Sequence, residues 1–444
     1  MFDPARRFPR TTRPRRWSPL AILLVAAVTL PAASLPGPLD ATTTVQAKSK
    51  SKSKGKRKKP KKTVERELRR LRQKQAISGR DRNAWVRLYR DARSQARRLD
   101  GTAGRELEGA IENTEEIAAR GRLTASRTAA VFHTLQVNRD WWTQNSGAAW
   151  RPTVPGSPLV WQYYPGEGLQ IQWLGTFGLA NALATTKAPE KLEQLRAIAE
   201  EALRLASHRA GGPAWEYLFD FGGGRPPWGS GMAQVTGMQA LIRTYERTAD
   251  VRYRDTALDA VQLLRRSAPN GARYKRSKGD HILLYTYSKM RVLNAFVQAV
   301  AGLQEVARKT QDAKVKAVFV RAERQLRVEL PQYVTKNWAV YSLGGKAETP
   351  DYHTVSRNFL RNLCQGLLAD HDSYAQGGPT ASWGAPPSPD LYCITGERFA
   401  QDLRDNPGGP GKSRARLRSG GPAALDGALD RSAVPGAFGA IAQP

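Results

Sequence analysis

Apolar residues recur at helical spacing along most of the chain. Val292, Ala295, Phe296, Ala299, Leu303 and Val306 fall on one helical face, as do Val315, Val318, Phe319, Ala322 and Leu326. Between Thr63 and about Ala130 the same spacing returns in Val64, Leu68 and Leu71, in Trp85, Leu88 and Tyr89, and in Leu107, Ile111 and Ile117, opposite an Arg-rich polar face. Strict alternation of apolar and polar positions is scarce, with HILLYTY (residues 281–287) among the few short pieces. The pattern predicts an all-α protein.

A repeat adds an architecture. TKAPEKL begins at Thr186, TADVRYR at Thr248 and TQDAKVK at Thr310, each 62 residues after the last. Each is a polar turn between two amphipathic segments, and TGERF at Thr395 reads as a more distant copy. A period of that length suits a helix hairpin plus a long loop. Stacked hairpins that curve round on themselves give an α/α toroid, an incomplete barrel of helix hairpins. The long loops then gather at one end, where sites are built on a rigid scaffold. The expected organisation is an export signal or anchor over 1–47, a basic linker over 48–62 and a helical arm over 63–130. A toroid over 131–403 and a Gly/Pro/Ala-rich, disordered tail over 404–444 complete it.

Charge changes the picture at one end only. The chain carries net +31. Residues 1–100 hold 28 Lys/Arg against 7 Asp/Glu, so the remaining 344 residues hold only +10. That distribution, with no zinc-finger spacing and no RNA-binding signature, argues against a nucleic-acid partner. The run KSKSKSKGKRKKPKK (48–62) suits a tether to anionic surface polymers or a membrane. Before it, a basic stretch leads into PLAILLVAAVTLPAAS (19–34), which is shorter than the ~20 apolar residues of a spanning helix. It has the form of a signal-peptide core, with VQA ending at Ala47 as a cleavage site. A cleaved signal and an uncleaved anchor both place the body outside the cytoplasm, secreted or extracytoplasmic. Cys364 and Cys393 fit that compartment as one disulfide or as two buried thiols. Neither they nor the five histidines have metal-ligand spacing.

Four loop segments concentrate aromatic and polar groups: WQYYPGEGLQIQWLG (161–175), WEYLFDFGGGRPPWGSGMAQ (215–234), LLYTYSKMRVLNAF (283–296) and NWAVYSLGGKAETPDYHTVSRNFL (337–360). Sugar rings have apolar faces that stack on aromatic rings, so such loops suit a carbohydrate site, although aromatics at loop bases also serve the core. Trp228 reads as a stacking platform or as a packing residue. Asn294 bonds a sugar hydroxyl or caps its helix. Tyr352 is a proton-transfer group or an ordinary helix-start aromatic.

RPPWGSGMAQ, VLNAF opening a helix, and NW-x-x-YSL followed by DYHTVSRNFL resemble the C-terminal domain of the D-glucuronyl C5-epimerase family, over roughly residues 130–400. The resemblance implies a helical toroid and an exported isomerase that inverts C5 of a uronic acid in a polysaccharide, from glucuronate to iduronate type. It places the family's tyrosines on Tyr341, Tyr352 and Tyr285 as catalytic residues. Trp228, Gln234, Arg291, Asn294, Lys346, His353 and Arg357 are the expected substrate contacts. Two positions depart from the family: its catalytic glutamate falls at about Leu284, and the Asp-Leu-Arg after the first tyrosine is Ser342, Leu343 and Gly344. Asp280 and His281 stand nearby as substitutes.

The chemistry asks for two acid/base groups flanking the sugar and a cation to offset charge on the carboxylate. A phenol with pKa about 10 is ionised in roughly one molecule in a thousand at pH 7, so a phenolate base needs cationic neighbours, here Lys289, Arg291, Lys346 or Arg357. No redox cofactor is expected. The expected partner is an anionic, uronate-containing glycan, and an oligomer is compatible with the sequence. The competing readings are a non-catalytic glycan-binding protein with a degenerate cleft, and a uronate polysaccharide lyase. A carboxylate of Asp280 or Glu216 pointing into the cleft would favour catalysis; tyrosines without a second base would favour binding.

Overall fold

The computed structural model describes residues 62–379 and 381–410. The expected export segment over 1–47, most of the basic linker and the tail beyond 410 lie outside the described residues. Of the described helices, none is long and apolar enough to cross a membrane.

Four helices come first: α1 (Val64–Gln73), α2 (Gly79–Ala96), α3 (Gly101–Ala119) and α4 (Ala125–Trp142). Ala130 and Val131 both lie inside α4, so the helical arm runs on to Trp142. The arm is docked on the body. Within the arm, Trp85 of α2 stacks on Phe132 of α4 at 5.2 Å. The buried Asn138 amide brackets Leu169, its Nδ2 donating to the carbonyl at 2.7 Å and its Oδ1 accepting from the N–H at 2.7 Å.

The body consists of helix hairpins. The pairs are α5 (Trp173–Ala184) with α6 (Pro189–Leu205), α7 (Gly231–Thr248) with α8 (Val251–Asp259), α10 (Leu293–Thr310) with α11 (Ala313–Tyr333), and α12 (Pro350–Ala375) with α13 (Asp390–Asp405). A short helix, α9 (Gln262–Arg265), follows α8. Helices α5, α7, α10 and α12 pack successively on one another. Both α7 and α10 are buried nearly all round, as inner helices must be, whereas α6, α8, α11 and α13 keep a polar face outward. This is the expected α/α toroid.

Strands occur only in four two-stranded antiparallel hairpins among the described residues: β1 (Trp161–Tyr164) with β2 (Gly168–Ile171), β3 (Ser207–Arg209) with β4 (Gly212–Ala214), β5 (Glu216–Tyr217) with β6 (Trp228–Gly229), and β7 (Arg273–Lys275) with β8 (Asp280–Ile282). They stiffen the loops between helices.

The 62-residue period has a physical counterpart. Gln298 Nε2 bonds Thr236 Oγ1, Arg243 holds Glu305, and Gln304 Nε2 bonds the Gly366 carbonyl, each pair 62 residues apart. Arg247 reaches back to the carbonyls of Ala184 and Thr186. Equivalent positions of successive repeats therefore touch. Thr395 breaks the series: it lies inside α13, so TGERF is helix rather than a fourth turn. Cys364 of α12 and Cys393 of α13 form a disulfide, with Cα atoms 5.1 Å apart.

Candidate active site

The three tyrosines singled out by the sequence come from two loops and one helix start. Thr349 caps α12 by accepting from the Tyr352 N–H at 3.4 Å, and Pro350 opens the first turn. That cap holds Tyr352 at the helix mouth. Tyr341 lies in the preceding loop, where its carbonyl accepts from Leu293 N–H and its N–H donates to the Lys346 carbonyl, both at 2.9 Å. Tyr285 follows β8, and its neighbour Thr286 is bonded through both N–H and Oγ1 to Gly229 of β6.

These anchors bring the rings together. Tyr341 and Tyr352 meet edge to face with centroids 5.0 Å apart. Tyr285 lies parallel to Tyr287 at 5.3 Å, edge-on to Trp228 at 5.4 Å and to Phe221 at 5.9 Å. Burial pushes the Tyr285 phenol well up, and the phenols of Tyr341, Tyr287, Tyr217 and Tyr352 push it further. Burial likewise raises Tyr341, followed by Tyr352 and Glu348. The expected lowering by cations is not met. Loss of hydration outweighs any charge nearby, and both phenols are held neutral at pH 7.

The aromatic surface continues away from this cluster. Phe221 meets Tyr164 at 5.9 Å, and Tyr164 meets Trp150, whose ring is 46% exposed, at 6.2 Å. Arg151 lies near Tyr164 and Tyr217 and bonds Gln162 Oε1 through Nε at 3.3 Å. Burial lowers Arg151 and pushes Tyr164 up to about 12. Tyr164 and Tyr217 stand in aromatic segments visible in the sequence, although no motif there gives them a role; nothing in the sequence marks Arg151.

The carboxylates expected as bases are engaged elsewhere. Glu216 is buried and bonded by Arg127 at 2.6 and 3.0 Å, by Arg209 at 2.8 Å and by Ser207 at 2.5 Å. Burial opposes its ionisation, but the two guanidinium groups prevail and hold it below the usual carboxylate range. Asp280 pairs with Arg321 at 2.8 Å. Leu284 is buried. His281, the other substitute, is enclosed on Phe296, its Nδ1 2.8 Å from Glu329 Oε2. Burial keeps that imidazole neutral, and its N–H donates to the ionised Glu329.

Four expected substrate contacts are core residues. Trp228 is buried, stacked on Tyr217 at 4.3 Å, with its N–H donating to the Phe219 carbonyl, so it supports the tyrosines rather than offering a face to a sugar. Gln234 uses its Nε2 on the carbonyls of Pro213 and Ala260. His353 is fully enclosed, stacked on Trp338 at 4.0 Å and 3.0 Å from Glu348, which also accepts from Ser356. It orders the loop carrying Tyr341 and touches no cleft. Asn294 is buried at the start of α10, and its Nδ2 has no hydrogen-bond partner. Arg291, Lys346 and Arg357 keep solvent access. Arg291 lies 3.4 Å from Glu329, and Arg357 bonds Asn358 Oδ1.

A cavity of about 980 Å³ lies apart from the tyrosines. Its walls include Arg66, Arg93, Glu112, Glu167, Asp220 and Arg225. Its lining mixes both signs of charge and holds none of the three phenols, so we place the site by the ring cluster.

Residues 212–373 match the family model of the D-glucuronyl C5-epimerase C-terminus. The resemblance read from the sequence holds over that stretch, which contains Tyr285, Tyr341 and Tyr352. No curated protein matches the chain. Among solved structures, a sugar epimerase from a ruminal bacterium is 13% identical with TM-score 0.38, over 52% of this chain and 59% of that one. Cellobiose 2-epimerase from Bacillus thermoamylovorans B4167 is 12% identical with TM-score 0.35, over 53% of this chain and 61% of that one. A D-mannose isomerase is 13% identical with TM-score 0.34, over 52% and 58%. The chain spans about six-tenths of the length of these structures.

Proposed function

We propose that the protein is an exported epimerase that inverts C5 of a uronic acid residue within a glycan. The observation that carries the reading is the convergence of Tyr285, Tyr341 and Tyr352 within the stretch that matches the epimerase family.

Inversion at C5 removes a proton on one face and returns one on the other. In the simplest balanced cycle, a phenolate takes the C5 proton while a phenol opposite donates its own. The electron pair freed at C5 spreads into the adjacent carboxylate in between. After turnover the two tyrosines have exchanged roles, and proton exchange with solvent restores them. Because burial raises Tyr285 and Tyr341, their phenolates are scarce, and every tenfold drop in that population adds about 1.4 kcal/mol to the barrier. A cation beside the substrate carboxylate offsets part of that. Arg291 and Lys346 lie in the loops that carry the tyrosines, Arg357 lies on α12 with Tyr352, and Arg151 stands on the side of Tyr164 and Tyr217.

Export is supported by the basic-then-apolar N-terminal sequence and by the Cys364–Cys393 bridge, since disulfides persist in oxidising compartments. A glycan-binding role without turnover is favoured by one observation: Leu284 replaces the family's glutamate, and Glu216 and Asp280 are both tied up in ion pairs.

Product analysis separates the readings. Incubation with a glucuronate-containing oligosaccharide should yield iduronate by NMR. An unsaturated uronate would identify a lyase, and binding without any new sugar would identify a lectin.

A further inference from the structure

Residues 265–280 carry six Lys/Arg and one Asp, a density of charge that the catalytic reading does not use. The fold gathers it. Arg273 and Lys275 are two apart on β7 and so project on one face, opposite Ile282 and Asp280 of β8. Arg265 ends α9, Arg266 follows it, and Arg321 comes from α11. Together with Gln262 and Asp280, Arg265, Arg266, Arg273, Lys275 and Arg321 wall a cavity of about 500 Å³. That lies within the usual range of ligand clefts, roughly 300–1,000 Å³.

The frame under these cations is tight. Arg273 N–H donates to the Arg266 carbonyl at 3.0 Å, Ala272 N–H to Leu263 at 2.8 Å and Leu283 N–H to Ala272 at 2.8 Å. A side chain at Gly271 would collide with the carbonyls of Arg266 and Leu263, and one at Gly279 with that of Arg321. The cations are therefore held together against their mutual repulsion by close-packed backbone. The single carboxylate, Asp280, is already paired with Arg321 at 2.8 Å. Arg266 and Lys275 have no ion-pair partner among the described residues, and Arg273 Nε is buried with no acceptor. Arg273 Nη2 donates to Ser267 Oγ at 3.2 Å, and the cavity lining supplies no acceptor for Arg266 or Lys275.

We infer that this cavity is a second binding site for the anionic groups of a glycan chain, outside the tyrosine cluster. Carboxylate or sulfate oxygens accept from the charged side chains that wall it, Arg266 and Lys275 foremost. The choice of a glycan rests on the epimerase reading above. A single-stranded nucleic acid is the poorer fit, because the cavity lining has no aromatic ring on which a base could stack. Position supports a shared ligand. Tyr285 is five positions on from Asp280, so these two residues lie within ~17 Å even along a fully extended chain. One polysaccharide strand reaches both, and the basic site then favours long chains over short ones.

The test compares length dependence in the full chain. Affinities and C5 exchange are measured for a tetrasaccharide and a dodecasaccharide of alternating glucuronate and N-acetylglucosamine. The wild type is set beside R266E/K275E and the milder R266Q/K275Q, with melting temperatures confirming the fold. The dodecasaccharide should bind about tenfold more weakly to the reversed-charge variant at low salt, and less so to the neutral one, while the tetrasaccharide is handled as before. Unchanged dodecasaccharide affinity in both variants overturns the proposal. So does a single-stranded DNA of matched charge that binds as tightly as the dodecasaccharide and is lost in the same variants. Failure of the epimerase reading would show separately, as absence of C5 exchange in the wild type, and leaves the affinity comparison intact.

Discussion

Tyr341 and Tyr352 are eleven residues apart in sequence and meet edge to face at 5.0 Å across a single loop. The loop is shaped by the buried Glu348, which bonds His353 Nδ1 at 3.0 Å and Ser356 Oγ at 2.6 Å. Two side chains adjacent in the sequence thus divide the labour: Tyr352 faces its fellow phenols, and His353 turns inward to hold the loop in place.

The raised phenols fix an alkaline limb. Burial lifts Tyr341 and Tyr285 above their unfolded values near 10, so the neutral form is favoured in the folded protein. Their contribution to stability is complete below about pH 10 and is lost as pH rises from there toward the folded values. Melting temperature should be flat from pH 7 to 9 and fall above about pH 10. Tyr341→Phe, which cannot ionise, should soften that fall. An equal alkaline fall in the variant would contradict the assignment.

Glu216 is the opposite case. Its carboxylate neutralises Arg127 and Arg209 in a buried cluster. Glu216→Gln should destabilise by about 3–5 kcal/mol in denaturant titration, because it leaves two buried guanidinium groups undercompensated. Its folded pKa is depressed, so this stabilisation is present above the unfolded carboxylate value of about 4.3 and is lost as pH falls through the lower folded value. The penalty of the substitution should therefore shrink in acid.

The Cys364–Cys393 bridge closes a separation of 29 residues between α12 and α13. Chain-entropy reasoning gives such a loop roughly 3–4 kcal/mol. Cys364→Ser/Cys393→Ser should lower the denaturation midpoint accordingly, and a reducing agent should lower the wild type but not the variant.

The helical class and the hairpin repeat were legible because an inner helix and its turn recur every 62 residues, and the repeats then bond one another at that interval, as Arg243 does with Glu305. TGERF misled because a Thr-Gly pair looks the same in sequence inside α13 as in a turn. Motif order singled out Tyr285, Tyr341 and Tyr352, and the fold sets Tyr341 against Tyr352. Trp228, Gln234 and His353 were not placed correctly, since a polar or aromatic residue beside a site has the same one-dimensional signature whether it faces the cleft or packs beneath it. The roles of Asp280 and Glu216 stayed open for a related reason: their partners, Arg321 and Arg127, lie 41 and 89 residues away. Arg151 was invisible because only the folded chain brings it to Tyr164 and Tyr217.

The most direct test of the central claim is deuterium uptake at C5. The protein is incubated in D2O with a glucuronate-containing oligosaccharide, alongside Tyr352→Phe and Tyr341→Phe. Mass spectrometry and NMR should show label at C5 together with iduronate in the wild type. The variants should lose about 10²–10⁴-fold in rate while keeping the wild-type melting temperature, as expected for proton-transfer groups. Label that persists at the wild-type rate in both variants, or no label at all despite measurable binding, would contradict catalysis by these tyrosines.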